Sequence, residues 1–167
     1  MRKIGYILCV FLLFIGGCGK KEYKTGIMYT DEDIPISIVK VSKMDSFSDK
    51  LIIIENSEQL TFALEKYSLL RDATVGFQYT TDVYSPDEYI YIIKYLKTLY
   101  ASQTYSCEGI ILDKQNGTVK FNVNTKKKLF DRAQEIGGYI VWAVFPKDEL
   151  SEWDFSKLDY VEYPGEK

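Results

Sequence analysis

Ile4 to Ile15 is apolar at every position except Gly5, a run shorter than the roughly 20 residues a helix needs to span a bilayer. Beyond it, polar and apolar positions alternate in ways that predict discrete elements. Pro35 to Val41 alternates, with Ile36, Ile38 and Lys40 opposed to Ser37, Val39 and Val41, and reads as a strand. Leu51 to Glu55 is a short aliphatic strand. Asn56 with Gln59 three residues on forms a capping-box variant, and Leu60, Ala63, Leu64 and Tyr67 follow at helical spacing. Thr74 to Thr80 alternates again, with Val75, Phe77 and Tyr79 on one side, and is expected to be a strand. Ser85-Pro86-Asp87-Glu88 looks like a helix start, because Ser85 suits an N-cap, Pro86 the first helical position and both acids the positive helix end. That helix is expected to run to about Ser102 and to bury Tyr89, Ile92, Ile93, Leu96 and Tyr100.

Gly109 to Asp113 and Thr118 to Val123 flank Asn116-Gly117, the strongest short hairpin signal in the chain. Asn124 is expected to cap a third helix carrying Leu129, Phe130, Ala133 and Ile136, with Gly137-Gly138 as its stop. Tyr139 to Phe145 is apolar throughout, which predicts a central strand covered on both faces and ended by Pro146. A last short strand is expected at Tyr160 to Tyr163. Segments 51–80 and 118–145 then share a unit shape of strand, Asn cap, helix and return strand. The expected fold is a single α+β domain over residues 34–167, with one mixed β-sheet and about three helices.

The N-terminal run has the layout of a cleavable export signal: Arg2 and Lys3, an apolar segment, then the small residues Gly16 and Gly17. Its ending, Ile15-Gly16-Gly17-Cys18, resembles the lipobox of bacterial lipoproteins, a likeness confined to residues 1–18. The resemblance implies that the Cys18 thiol is acylated with diacylglycerol and that residues 1–17 are then cleaved away. Two or three acyl chains suffice for stable anchoring. The implied location is extracytoplasmic and membrane-anchored. With Gly19 rather than Asp after the Cys, that is the outer membrane of a two-membrane bacterium, or the outer leaflet of the cytoplasmic membrane where there is only one. Residues 18–33 carry Lys20, Lys21 and Lys24 without sustained periodicity and are expected to be the lipidated Cys and a tether.

Composition narrows the chemistry. The chain has 167 residues and no His, so a Ser-His-Asp triad, a Cys-His dyad and imidazole-ligated metals are excluded. Its three Cys cannot build a four-thiolate zinc site. Formal net charge is −3, and loss of residues 1–17 removes two cations and no acids, giving −5; nucleic acid is not an expected partner. Neither a Walker loop nor G-x-G-x-x-G is present, and residues 113–124 lack the glycine and glutamate positions of a calcium loop, so no cofactor or metal is expected.

What remains is a set of binding candidates. Lys126, Lys127 and Lys128, placed by the pattern in a helix's first turn and joined by Lys114 and Lys120, suggest a patch for phosphate or lipid headgroups. Tyr91 and Tyr95, off the buried stripe of their predicted helix, and Trp153 in an aromatic C-terminal segment suggest a recognition surface. Cys107 is the only thiol left after acylation and reads as a small buried hydrophobe, with an intermolecular disulfide as the alternative. Two functional readings follow. One is a lipid-anchored binding or accessory module of the cell envelope, an inhibitor or immunity role included, with the membrane and an envelope protein or glycan as partners. The other is a hydrolase of envelope glycans using carboxylates drawn from Asp31-Glu32-Asp33, Asp82 with Asp87 and Glu88, or Asp148, Glu149, Glu152 and Asp154.

Overall fold

The computed structural model describes residues 21–23, 26–41, 50–68, 70, 74–128, 137–158 and 161–164. Among the described residues nine strands are distributed over two sheets, and the fold is a mixed α+β one in which β-structure predominates. The first sheet is four-stranded, in the order β1 (Lys21–Tyr23), β2 (Gly26–Tyr29), β6 (Thr104–Asp113) and β7 (Thr118–Lys126). The second is five-stranded, in the order β3 (Ile36–Val41), β8 (Gly137–Pro146), β5 (Tyr89–Thr98), β4 (Leu51–Ile54) and β9 (Val161–Glu162). All pairings are antiparallel except β4 with β9. Among the described residues the α-helices are α1 (Ser57–Lys66) and α2 (Thr74–Val83), and a 3-10 turn spans Phe155–Lys157.

Two cores sit on the two faces of the five-stranded sheet, and the period of two along each strand assigns residues to them. Trp142 and Val144 of β8, Tyr91, Ile93 and Tyr95 of β5, and Ile52 and Ile54 of β4 pack under Ala63, Tyr67, Leu70 and Phe77 from the helical segment. The alternate residues Val141, Ala143 and Phe145, Ile90 and Ile92, and Ile53 face Tyr29, Ile110, Leu112 and Phe121 of the other sheet. The molecule is thus layered as sheet, sheet and helices, with residues Leu150, Phe155 and Leu158 closing one end of the inter-sheet core. Edge-to-face rings fix the fit on each side: Phe77 meets Trp142 at 5.2 Å and Tyr29 meets Phe145 at 5.0 Å. Removing the Trp142 side chain would cost about 3–5 kcal/mol.

Several expectations hold. β3, β4, β8 and β9 lie where the pattern places them, and β8 is covered on both faces. Asn56 caps α1, its Oδ1 accepting from the Gln59 amide at 2.8 Å while Gln59 Oε1 accepts from the Glu55 amide at 2.7 Å. The β6–β7 hairpin closes through residues 114–117, with Gly117 at φ 58° and the Asp113 carboxylate accepting from the Asn116 amide at 3.0 Å.

Others are corrected. Residues 74–80 form part of α2, not a strand: Phe77 and Thr80 are buried while Gln78 and Tyr79 are exposed, which is a helical and not an alternating period. The stretch after Pro86 is not a helix. The Ser85 carbonyl accepts from the Glu88 and Tyr89 amides in a single turn, and the chain leaves it as β5. Its run of Tyr and Ile from Tyr89 to Ile93 suits a strand buried on both faces, into which a helical stripe can be read by chance. Asn124 lies within β7 rather than capping a helix, and Gly137-Gly138 opens β8; residues 129–136 lie outside the described residues. The repeated unit shape therefore fails. Within the expected tether, residues 21–23 and 26–29 form β1 and β2, and Met28 and Tyr29 are buried, so these residues belong to the folded part. One expected sheet is two, because β5 and β6 are joined by a short turn that passes from one layer to the other.

Candidate functional site

The turn joining β5 to β6 meets the end of β7, and together they form one end of the sandwich. Thr104 pairs with Lys126 as the last rung of the β6–β7 ladder, and Thr98 pairs with Gly137 as the last rung of β5–β8. Between them residues 99–103 make a tight connection: the Gln103 amide donates to the Tyr100 carbonyl at 3.0 Å, and Gln103 Oε1 accepts from the Leu99 amide at 2.9 Å. Gln103 Nε2 and the Tyr105 hydroxyl continue the network at 2.7 Å, and that hydroxyl donates to the Lys97 carbonyl at 2.8 Å. Lys127 and Lys128 are tied to this turn. The Lys127 ammonium sits 3.2 Å from the Tyr100 ring centroid, and the Lys128 amide donates to Ser102 Oγ at 3.2 Å.

The resulting surface is cationic and amphipathic. Lys126, Lys127 and Lys128 are exposed, and Leu99 is 55 % exposed beside them. Residues 99–107 and 118–128 contain no acid. The predicted lysine cluster is therefore real as a surface feature, but its setting is a strand end and an aromatic turn. The two other lysines expected to join it do not. Lys114 lies at the opposite end of the β6–β7 hairpin, paired with Glu152, and Lys120 lies midway along β7 opposite Ile111.

Tyr91 and Tyr95 are not a recognition surface. Both are essentially fully buried under the helices, because β5 is a central strand and they project from its helix-facing side. The Tyr91 hydroxyl donates to the Tyr84 carbonyl, and burial, with Tyr84 and Tyr89 alongside, raises its pKa well above the usual tyrosine range. Trp153 is half-buried, stacked on Phe155 with ring centroids 6.0 Å apart, and packs against the inter-sheet core. Cys18 lies outside the described residues.

Four carboxylates are engaged in local structure. Asp87 accepts from Ser57, Asp113 from Asn116, Asp154 from Ser156 and Lys157, and Glu152 from Lys114; these contacts lower each pKa, opposite to the direction a general acid needs. Burial pushes the Cys107 thiol up, Glu108 and Asp31 add to this, and its S–H donates to the Gly109 carbonyl at 3.3 Å. This is the protonated, unreactive form of a cysteine. Among the described residues no group of three or more acids or thiols is placed to hold a metal ion.

Sequence reasoning missed two features. One is the aromatic partner of the lysines, since Tyr100 was assigned to a helix's buried stripe. The other is an open groove of about 580 Å³ along α1, lined by Glu58, Thr61, Phe62, Glu65 and Pro164 among others. Its signal was present in the sequence: with Leu60, Ala63, Leu64 and Tyr67 turned inward, Phe62 is an apolar residue stranded on the polar face.

No family model, no curated protein and no solved structure matches this chain.

Proposed function

We propose that this chain is a lipid-anchored extracytoplasmic protein whose folded domain serves as a binding or accessory module of the cell envelope, rather than a hydrolase. The reading is carried by the sequence Ile15-Gly16-Gly17-Cys18 at the end of a short basic and apolar leader. It is supported by strand β1, which starts three residues later at Lys21. Three residues reach at most about 10 Å, so acylation at Cys18 would hold the domain against the bilayer surface. No helix among the described residues is long and apolar enough to cross a membrane, which leaves the anchor to the leader and Cys18 in this reading.

Of the carboxylates offered for the hydrolase alternative, Asp87, Glu152 and Asp154 are occupied as cap or ion-pair partners with lowered pKa values, which does not favour a general acid among them. The test is metabolic labelling of the full chain with an alkyne fatty acid in a bacterial host. Label should appear on the wild type, fall to background in Cys18→Ser, and partition with the membrane fraction. An unlabelled wild type that is found in the soluble fraction overturns the proposal.

A further inference from the structure

Building on the anchored reading, we infer that the end of the sandwich formed by residues 99–103 and 126–128 is the membrane-contacting surface, and that it takes the headgroups of anionic phospholipids in the bilayer that holds Cys18. The first support is the direction of β1. Lys21 pairs with Met28, Met28 with Ile111, and Ile111 with Lys120, whereas Tyr23 lies further toward the 114–117 turn. The chain therefore enters β1 from the Lys126 side. Lys126 lies six rungs beyond Lys120, roughly 20 Å along the ladder, and β7 stands three strand spacings, roughly 14 Å, from β1. The three residues from Cys18 to Lys21 can reach at most about 10 Å of that length. A tilt of roughly 35° between the strands and the membrane normal then brings the anchor and the lysine corner to one plane.

The second support is charge. Among the described residues the contacting end holds Lys126, Lys127 and Lys128, and the nearest acid on β6, Glu108, is engaged by the side-chain amides of Asn122 and Asn124. The far end carries Asp87, Glu88, Asp148, Glu149 and Glu152, with Lys147 and Lys114 directed to the Asp87 carbonyl and to Glu152. An anionic bilayer attracts the first end and repels the second, and juxtamembrane lysines gain most within a Debye length of the surface. The third support is chemistry: an exposed Leu99 next to Tyr100, beneath a lysine ammonium, is the pairing of apolar body and polar tip that suits the headgroup boundary.

The experiment uses the full lipidated chain carrying Leu99→Trp, reconstituted into vesicles of phosphatidylcholine alone or with about a third phosphatidylglycerol, each containing brominated lipid. The native Trp142 is in the core and Trp153 is at the far end, so the wild type gives the baseline. Expected is bromine quenching of Leu99→Trp in phosphatidylglycerol vesicles that drops severalfold in phosphatidylcholine alone, in high salt, and when Lys126, Lys127 and Lys128 are changed to Gln. Near-UV circular dichroism verifies that the variants are folded. Equal quenching in both vesicle types, indifference to the lysine changes, or quenching abolished by inorganic phosphate at constant ionic strength each overturns the inference, the last marking a free-phosphate site. Acylation at Cys18 is scored separately by mass spectrometry. A lipidated protein without quenching sinks the contact surface alone, while an unlipidated one sinks the anchored reading on which it rests.

Discussion

The Asp87 carboxylate accepts two hydrogen bonds from Ser57, one from the amide at 3.0 Å and one from the hydroxyl at 2.7 Å. Asp87 follows Pro86 in the turn before β5, and Ser57 is the first residue of α1, so the acid serves the positive end of a helix 30 residues earlier in the chain. The contact ties the helical layer to the central sheet. It also holds the Asp87 carboxyl below its ordinary pKa, chiefly through the Ser57 hydroxyl and amide. A depressed carboxyl contributes stability above its unfolded-state pKa and loses it as pH falls through the folded value. Asp87→Ala should therefore lower Tm by about 2–4 °C at pH 7, as roughly expected for loss of a cap in a domain of this size, and by less at pH 3. Thermal melts of both proteins across that range check it; an equal deficit at both pH values would remove the electrostatic account.

Glu162 secures β9 in the same manner but in a drier place. One carboxylate oxygen pairs with Lys66 of α1 and the other accepts from Lys50 at 2.9 Å. Burial alone would raise this pKa, yet hydrogen bonds from Lys66, Tyr67 and Lys50 outweigh it and bring it down to about 2. The stabilising charge is fully present above about pH 4.5 and should fade between there and pH 2. Because both lysines remain more than 40 % exposed, solvent screens the pair, and Glu162→Gln should cost only about 1–2 kcal/mol at neutral pH. Urea titrations should show that difference at pH 7 and a smaller one at pH 3.

How much of this was legible in the residues depends on what each element packs against. β3 and β8 were readable because alternation in one and continuous apolarity in the other have a single interpretation at their lengths. α1 was readable from Asn56 and Gln59, whose capping is local. β5 was not. A strand buried on both faces carries Tyr and Ile at all spacings, including 3 and 4, and Ser85-Pro86-Asp87-Glu88 supplied a helix start that the chain uses for a turn. The acids there do meet a helix end, but it is that of α1, which only tertiary contact reveals. α2 failed in the opposite sense, since Val75, Phe77 and Tyr79 alternate by accident while Phe77 and Thr80 carry the burial. The lysines at 126–128 could be singled out, yet Tyr100 beneath Lys127 depends on where two loops meet.

Cys107 should behave as a structural thiol. It lies partly buried beside the bulge that shifts the β6–β7 register between Cys107 and Gly109, and its pKa is raised. Burial and the nearby Glu108 and Asp31 disfavour the thiolate, which is the reacting form. A thiol reagent such as Ellman's should label the folded protein at pH 8 at least about tenfold more slowly than the same protein in denaturant. Fast labelling of the native state would show an accessible thiolate and reopen the intermolecular disulfide.

Gly138 should resist replacement for steric reasons alone. It opens β8 opposite Lys97, and a Cβ built on it would stand 2.5 Å from the Leu96 carbonyl oxygen and 2.5 Å from the Tyr95 ring. The carbonyl belongs to a paired central strand, and Tyr95 is locked in the core, so neither can give way without moving β5. Overpacking of this kind typically costs 1–3 kcal/mol, and Gly138→Ala is expected at about the upper end of that range. Gly117→Ala is the matched control: its Cβ meets nothing closer than Leu158 at 4.0 Å, so its cost comes from the φ of 58° alone, about 1–2 kcal/mol. Denaturant midpoints for the pair should rank Gly138→Ala below Gly117→Ala. The reverse order would mean that β5 and β8 yield at this point more readily than their packing implies.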